Sequence, residues 1–151
     1  MKLRPHHLID IVCHYGHGVA FGPHPYGHAV HTVAERVIDN PDLEVEFVLA
    51  ADDICLPCRY LRADGQCADV LHQLEEPVPK QAYNDGLDGR LFPFLGIQPG
   101  VRMTVRSFLV AVDEHMPGIV EICTHPGEEE QHRLDGLRNG LTRFGIKQQL
   151  D

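Results

Sequence analysis

Apolar positions first become periodic at residues 5–15, where Leu8, Ile9, Ile11, Val12 and Tyr15 leave little of a helix surface polar. This pattern predicts a largely buried helix, and Pro5 suits its first turn, where a missing N–H costs nothing. At about 100° per residue, His6, Asp10, Cys13 and His17 share an arc of roughly 60°, a polar seam on that helix. Gly16 and Gly18 end it, and a Gly- and Pro-rich loop runs from Gly16 to Tyr26. A second helix is expected over about 27–39, with Val30, Val33, Ala34 and Val37 on one side and Pro41 as its stop. Residues 43–50 alternate and then turn continuously apolar, the pattern of a strand with one buried face.

Further along, Val70, Leu71 and Leu74 suggest a short helix, broken by Pro77 and Pro79. Residues 80–92 read as partly helical, with Gly86 and Gly89 weakening the pattern, and Phe92-Pro93-Phe94-Leu95-Gly96 reads as an apolar turn. Residues 101–115 fit a strand followed by a helix, or one helix from Thr104. Ile119 to Cys123 fits a short strand or a turn. A last helix is expected over 127–143, carrying Leu134, Leu137 and Leu141 after acidic residues that suit a helix N-terminus. The expected fold is a small α+β domain spanning residues 1–151, mostly helical, with a short strand pair or small sheet and an irregular cysteine knuckle.

Charge and composition narrow the partners. Acidic residues number 22 against 13 basic ones, a formal charge of −9, which argues against a nucleic-acid surface. Arg133, Arg138, Arg143 and Lys147 form a local basic run that reads as a solvated helix face. No apolar run approaches the roughly 18 residues of a membrane span. The N-terminus lacks the apolar core of a secretory leader, so a cytoplasmic location is expected. There thiols stay reduced, and clustered cysteines read as metal ligands or reactive groups.

Three of the five cysteines, Cys55, Cys58 and Cys67, fall in a C-x2-C-x8-C segment directly after the predicted strand. A C-x2-C turn lets two thiolates converge on one metal, Pro57 stiffens that turn, and Asp64-Gly65 offers another before Cys67. Thiolate-rich sets take an iron–sulfur cluster or zinc, and both usually want four ligands. Candidates for the fourth are Cys13, Cys123, His6, His7 and Asp10, with Cys13 favoured for its place on the polar seam. A four-iron, four-sulfur (4Fe–4S) cluster on Cys13, Cys55, Cys58 and Cys67 is one expectation. A cluster on three cysteines, open to a small-molecule substrate, is a second, with His6, His7 and Asp10 as catalytic groups. A closed zinc site in a protein without catalytic activity is the third. Asp52-Asp53 either caps the turn before the knuckle or orients a histidine. His14, His17, His24, His28 and His31 surround one loop and hint at a pocket.

Two motifs together resemble a known family. Arg4-Pro5-His6-His7-Leu8, with Asp52-Asp53-Ile54-Cys55 and Cys58, is similar to domain-of-unknown-function family 1284, over about residues 3–70. The resemblance implies a small prokaryotic protein suspected of binding an iron–sulfur cluster, with no reaction assigned. The family pattern has a cysteine three positions after the second histidine of its opening motif. Here that position is Asp10, and Cys13 lies one helical turn later.

Overall fold

A computed structural model describes residues 1–146. The fold is α+β, dominated by helices. Strand β1 (Lys2–Leu3) leads into α1 (Pro5–Gly16), followed after a long loop by α2 (Val30–Asp39) and β2 (Glu44–Phe47). The cysteine segment comes next, then the strand pair β3 (Val70–Leu71) and β4 (Val78–Pro79), and α3 (Lys80–Leu95). The chain closes through β5 (Arg102–Thr104), α4 (Val105–Glu114), the short α5 (Val120–Cys123) and α6 (Glu130–Arg143).

The main sheet has the order β1-β2-β5. β1 runs parallel to β2, with Leu3 opposite Phe47, and β5 runs antiparallel, with Met103 opposite Val45. This sheet delivers the chain to the site twice. β1 ends at Leu3 and passes through Arg4 into α1 at Pro5, and β2 ends at Phe47, in the segment that leads to Asp52. Buried Leu8, Ile11, Val12, Leu87, Leu91, Leu109, Leu137 and Leu141 form the core, and the rings of Phe47 and Phe108 stack with centroids 4.3 Å apart.

Three sequence expectations change. Val70 and Leu71 form a strand rather than a short helix, because Pro79 and Val78 pair with them across the turn. The apolar stretch Phe92–Leu95 is the last turn of α3. Its helix runs through Gly86, Gly89 and Pro93 and stops at Gly96, whose φ of 70° is the left-handed end that glycine adopts readily. Ile119–Cys123 contributes a single helical turn, α5. Between the alternatives for 101–115, a strand followed by a helix is found, with the Thr104 hydroxyl accepting from the Ser107 N–H at 3.0 Å as the N-cap of α4. Among the described residues no helix is long and apolar enough to cross a membrane.

Candidate functional site

The site is built on three carboxylates that tie α1 to distant parts of the chain. The first is Asp52, buried at the entrance to the knuckle. Its Oδ1 accepts from the N–H groups of Ile54 and Cys55, at 3.0 and 3.2 Å, and so caps the turn that carries the first cysteine. Its Oδ2 accepts from the Arg4 N–H at 2.7 Å and from His7 Nδ1 at 2.7 Å. Both expectations for this aspartate, turn cap and histidine orienter, therefore meet in one side chain. Burial opposes ionisation of Asp52, but His7 and the N–H donors outweigh it and hold its pKa down at about 2. Burial likewise disfavours the charged His7 ring, and Asp52 overrides it, leaving the His7 pKa raised.

The second carboxylate is Asp88 of α3, with no exposed surface. Its Oδ1 accepts from the His6 N–H at 2.9 Å, and its Oδ2 from His6 Nδ1 at 2.8 Å and Arg4 Nη1 at 3.0 Å. Burial lowers the His6 pKa, the neighbouring His7 adds to the effect, and Asp88 offsets only part of it. A carboxylate accepts and cannot donate, so both histidines carry their proton on Nδ1. Among the described residues, Nε2 of each has no hydrogen-bond partner, and both residues line one cavity of about 420 Å³.

The third carboxylate, Asp10, sits one turn further along α1. Its oxygens lie 2.9 and 3.1 Å from His125 Nε2, and Arg133 Nη1 donates to it at 2.7 Å. These partners outweigh burial and push the Asp10 pKa far below the carboxylate range. Arg133 also grips Glu128 through Nε and Nη2. It is only 2% exposed, so it is no part of a solvated basic face. Lys147 of that basic run lies outside the described residues.

Cys55, Cys58 and Cys67 line the same cavity as His6, His7 and Asp10. The knuckle is a series of tight turns, with Cys58 N–H donating to Cys55 C=O and Leu61 bridged to Cys67 across the Asp64-Gly65 turn. Gln81 of α3 fixes the far end by accepting from the Cys67 N–H at 2.7 Å. Burial, with Asp52 adjacent, pushes the Cys55 thiol up to about 12. All five cysteines are free.

Cys13 is not among the lining residues. Its thiol lies in the α1–α6 interface, 3.8 Å from the Arg133 carbonyl, where burial raises its pKa to about 11. The shared arc with His6 and Asp10 is correct in angle, but three residues advance the helix by about 4.5 Å, which carries Cys13 past the cavity and under α6. Cys123 is likewise buried away from the cavity, its thiol pushed up to about 12 by burial. Of the five histidines around the loop, His28 alone lines the cavity, and His24 stacks on it with ring centroids 4.2 Å apart.

Among the described residues, His7, Asp52 and Cys55 bring their donor atoms within 4.8 Å of one another. Asp52 already accepts four hydrogen bonds, so its oxygens are engaged by the protein itself. The donor chemistry fits a thiophilic metal group. Three cysteines line the cavity together with two histidines whose Nδ1 atoms are held by buried carboxylates, the outer-shell arrangement usual around metal-binding histidines. Sequence reasoning did not assign Asp88, Tyr83, Arg133 or a role for Arg4. Only Arg4 carries a signal, through its place beside the two histidines. In comparisons with family models, curated proteins and solved structures, nothing matches the chain.

Proposed function

We propose that the cavity is a thiolate metal centre, with Cys55, Cys58 and Cys67 as ligands of an iron–sulfur cluster left open on one side to a small-molecule substrate in a cytoplasmic enzyme. The observation that supports this reading is that His6 and His7, each held through Nδ1 by a buried carboxylate, line the same cavity as the three cysteines. Such a cluster, when bound, supplies a Lewis-acidic iron. The chain's own residues divide the remaining work. Asp52 and Asp88 fix the tautomer and orientation of His7 and His6. Asp52 raises the His7 pKa while burial lowers that of His6, so the two rings differ in their hold on a proton. Arg4 neutralises Asp88 and reaches Asp85 at 2.8 Å, so a cationic group lies behind the histidines.

Zinc is the second reading, favoured by the approach of His7 and Cys55 to one another beside Asp52. Iron, zinc and acid-labile sulfide measured on anaerobically purified protein separate the two. The expected result is iron and sulfide in similar amounts with a broad visible absorption. A colourless protein with stoichiometric zinc and no sulfide overturns the cluster.

A further inference from the structure

The cavity wall also carries a second hydrogen-bonded chain. Tyr83 of α3 and His125, from the loop after α5, both line the cavity with Asp10. The Tyr83 hydroxyl lies 2.7 Å from His125 Nδ1, and His125 Nε2 lies 2.9 Å from Asp10 Oδ1. Asp10 is the acceptor-only end, so in the neutral ring the proton sits on Nε2 and Nδ1 accepts from the phenol. Arg133 holds Asp10 from behind and is itself held by Glu128. Every member is thus ordered by the next, from α6 inward to a phenol on the cavity wall. A purely structural tyrosine needs one partner for its hydroxyl. It does not need a buried arginine–carboxylate pair fixing the tautomer of that partner.

We propose that Tyr83, His125 and Asp10 form a proton relay in which Tyr83 removes a proton from an O–H or C–H group of a substrate in the cavity. The substrate's proton forms a new bond to Tyr83 Oη as the phenol's own O–H breaks. That proton passes to His125 Nδ1, and the electron pair of the broken bond stays on the substrate. The imidazolium so formed is paired with Asp10 at once, so no isolated charge is created on the protein side. Tyr83 is the catalytic residue of the set, and Asp10 and Arg133 are positioning residues. The relay takes its substrate from the cavity proposed above and uses none of the cysteines.

Benzenesulfonyl fluoride tests this without knowledge of the substrate. In that reaction Tyr83 Oη bonds to sulfur, the S–F bond breaks, fluoride leaves, and the phenol's proton goes to His125. Burial raises the Tyr83 pKa to about 12, so without a relay this phenol gives up its proton slowly. With the relay, peptide mapping of the protein as purified is expected to find Tyr83 labelled roughly tenfold or more faster than Tyr15, Tyr26 or Tyr60. Asp10→Asn, two hydrogen bonds away, is expected to abolish that advantage while Glu128 still holds Arg133. Histidine 15N spectra are expected to show His125 protonated on Nε2 in the wild-type protein. Tyr83→Phe confirms the assignment of the label. Equal labelling of all the tyrosines in the wild-type protein overturns the relay, whether or not the variants fold, and so does unchanged Tyr83 labelling in folded Asp10→Asn. The labelling needs no metal, so its failure leaves the iron and sulfide result intact, and the reverse.

Discussion

Asp52 joins the two sequence motifs in one side chain, and its pairing with His7 has a sign that can be checked. The Asp52 pKa is depressed, so its contribution to stability is full above the ordinary value of 3.8 and is lost as pH falls through about 2. The His7 pKa is raised, so its contribution is full below the ordinary value of 6.5 and is lost as pH rises through the raised value. Denaturant curves of metal-free wild type and His7→Gln are therefore expected to differ most between these limits and to converge as pH climbs. A difference that grows with pH contradicts the pair. At the same scale, the thiols have separate fates. Cys58→Ser is expected to lose the metal, whereas Cys13→Ala keeps it, because the Cys13 thiol lies under α6 rather than on the cavity. Metal content per chain decides this, and loss of metal in Cys13→Ala with retention in Cys58→Ser puts the site in the wrong place. Metal uptake is also expected to strengthen with rising pH, since the Cys55 thiol near 12 must release its proton to bind.

Among the elements, α1 and α6 carry the most exacting contact. A Cβ added at Gly140 would lie 2.1 Å from the Val12 carbonyl oxygen, and one at Gly136 would lie 2.5 Å from the Cys13 sulfur. Backbone cannot give way as a flexible side chain can, so Gly140→Ala is expected to cost about 1–3 kcal/mol or more. Gly89→Ala on α3 meets nothing within 4 Å and is expected to gain about 0.5–1 kcal/mol. Urea midpoints of the two variants test the crossing. If both are stabilising, the helices do not approach this closely. Because α6 carries Arg133 on the same crossing, a shift of α6 also moves the support of Asp10.

Over the whole molecule, the site doubles as a clamp. Asp52, Asp88 and the Asp10–Arg133 pair each fasten α1 to a part of the chain far from it in sequence. Asp88 carries the largest share, since its removal leaves Arg4, only 2% exposed, with Asp85 alone and strips His6 of its partner. Asp88→Ala is expected to lose about 3–5 kcal/mol of stability, the scale of breaking a buried charge pair from one side. Chemical denaturation reads this directly, and a loss below about 1 kcal/mol would mean the clamp is not structural.

The sequence by itself determined α1, α6, the strand before the knuckle, the α+β class and the cysteine segment, because each is written in local periodicity, turn residues or spacing. It also placed His6 and Asp10, with Cys13 and His17, on one seam of α1. The N-terminal histidines and the aspartate before the knuckle meet in space, through Asp52 with the Arg4 N–H and His7. Tertiary structure alone decided which part of the seam faces the cavity, since a shared helical angle carries no information about position along the axis. It alone revealed Asp88 and His125 as partners of α1, and Tyr83 as the partner of His125, because hydrogen bonds across 42 to 115 positions leave no local pattern. It decided, finally, that Arg133 is buried. A charge on an amphipathic helix reads as solvated until the carboxylates waiting on its other side, Asp10 and Glu128, are brought against it by the fold.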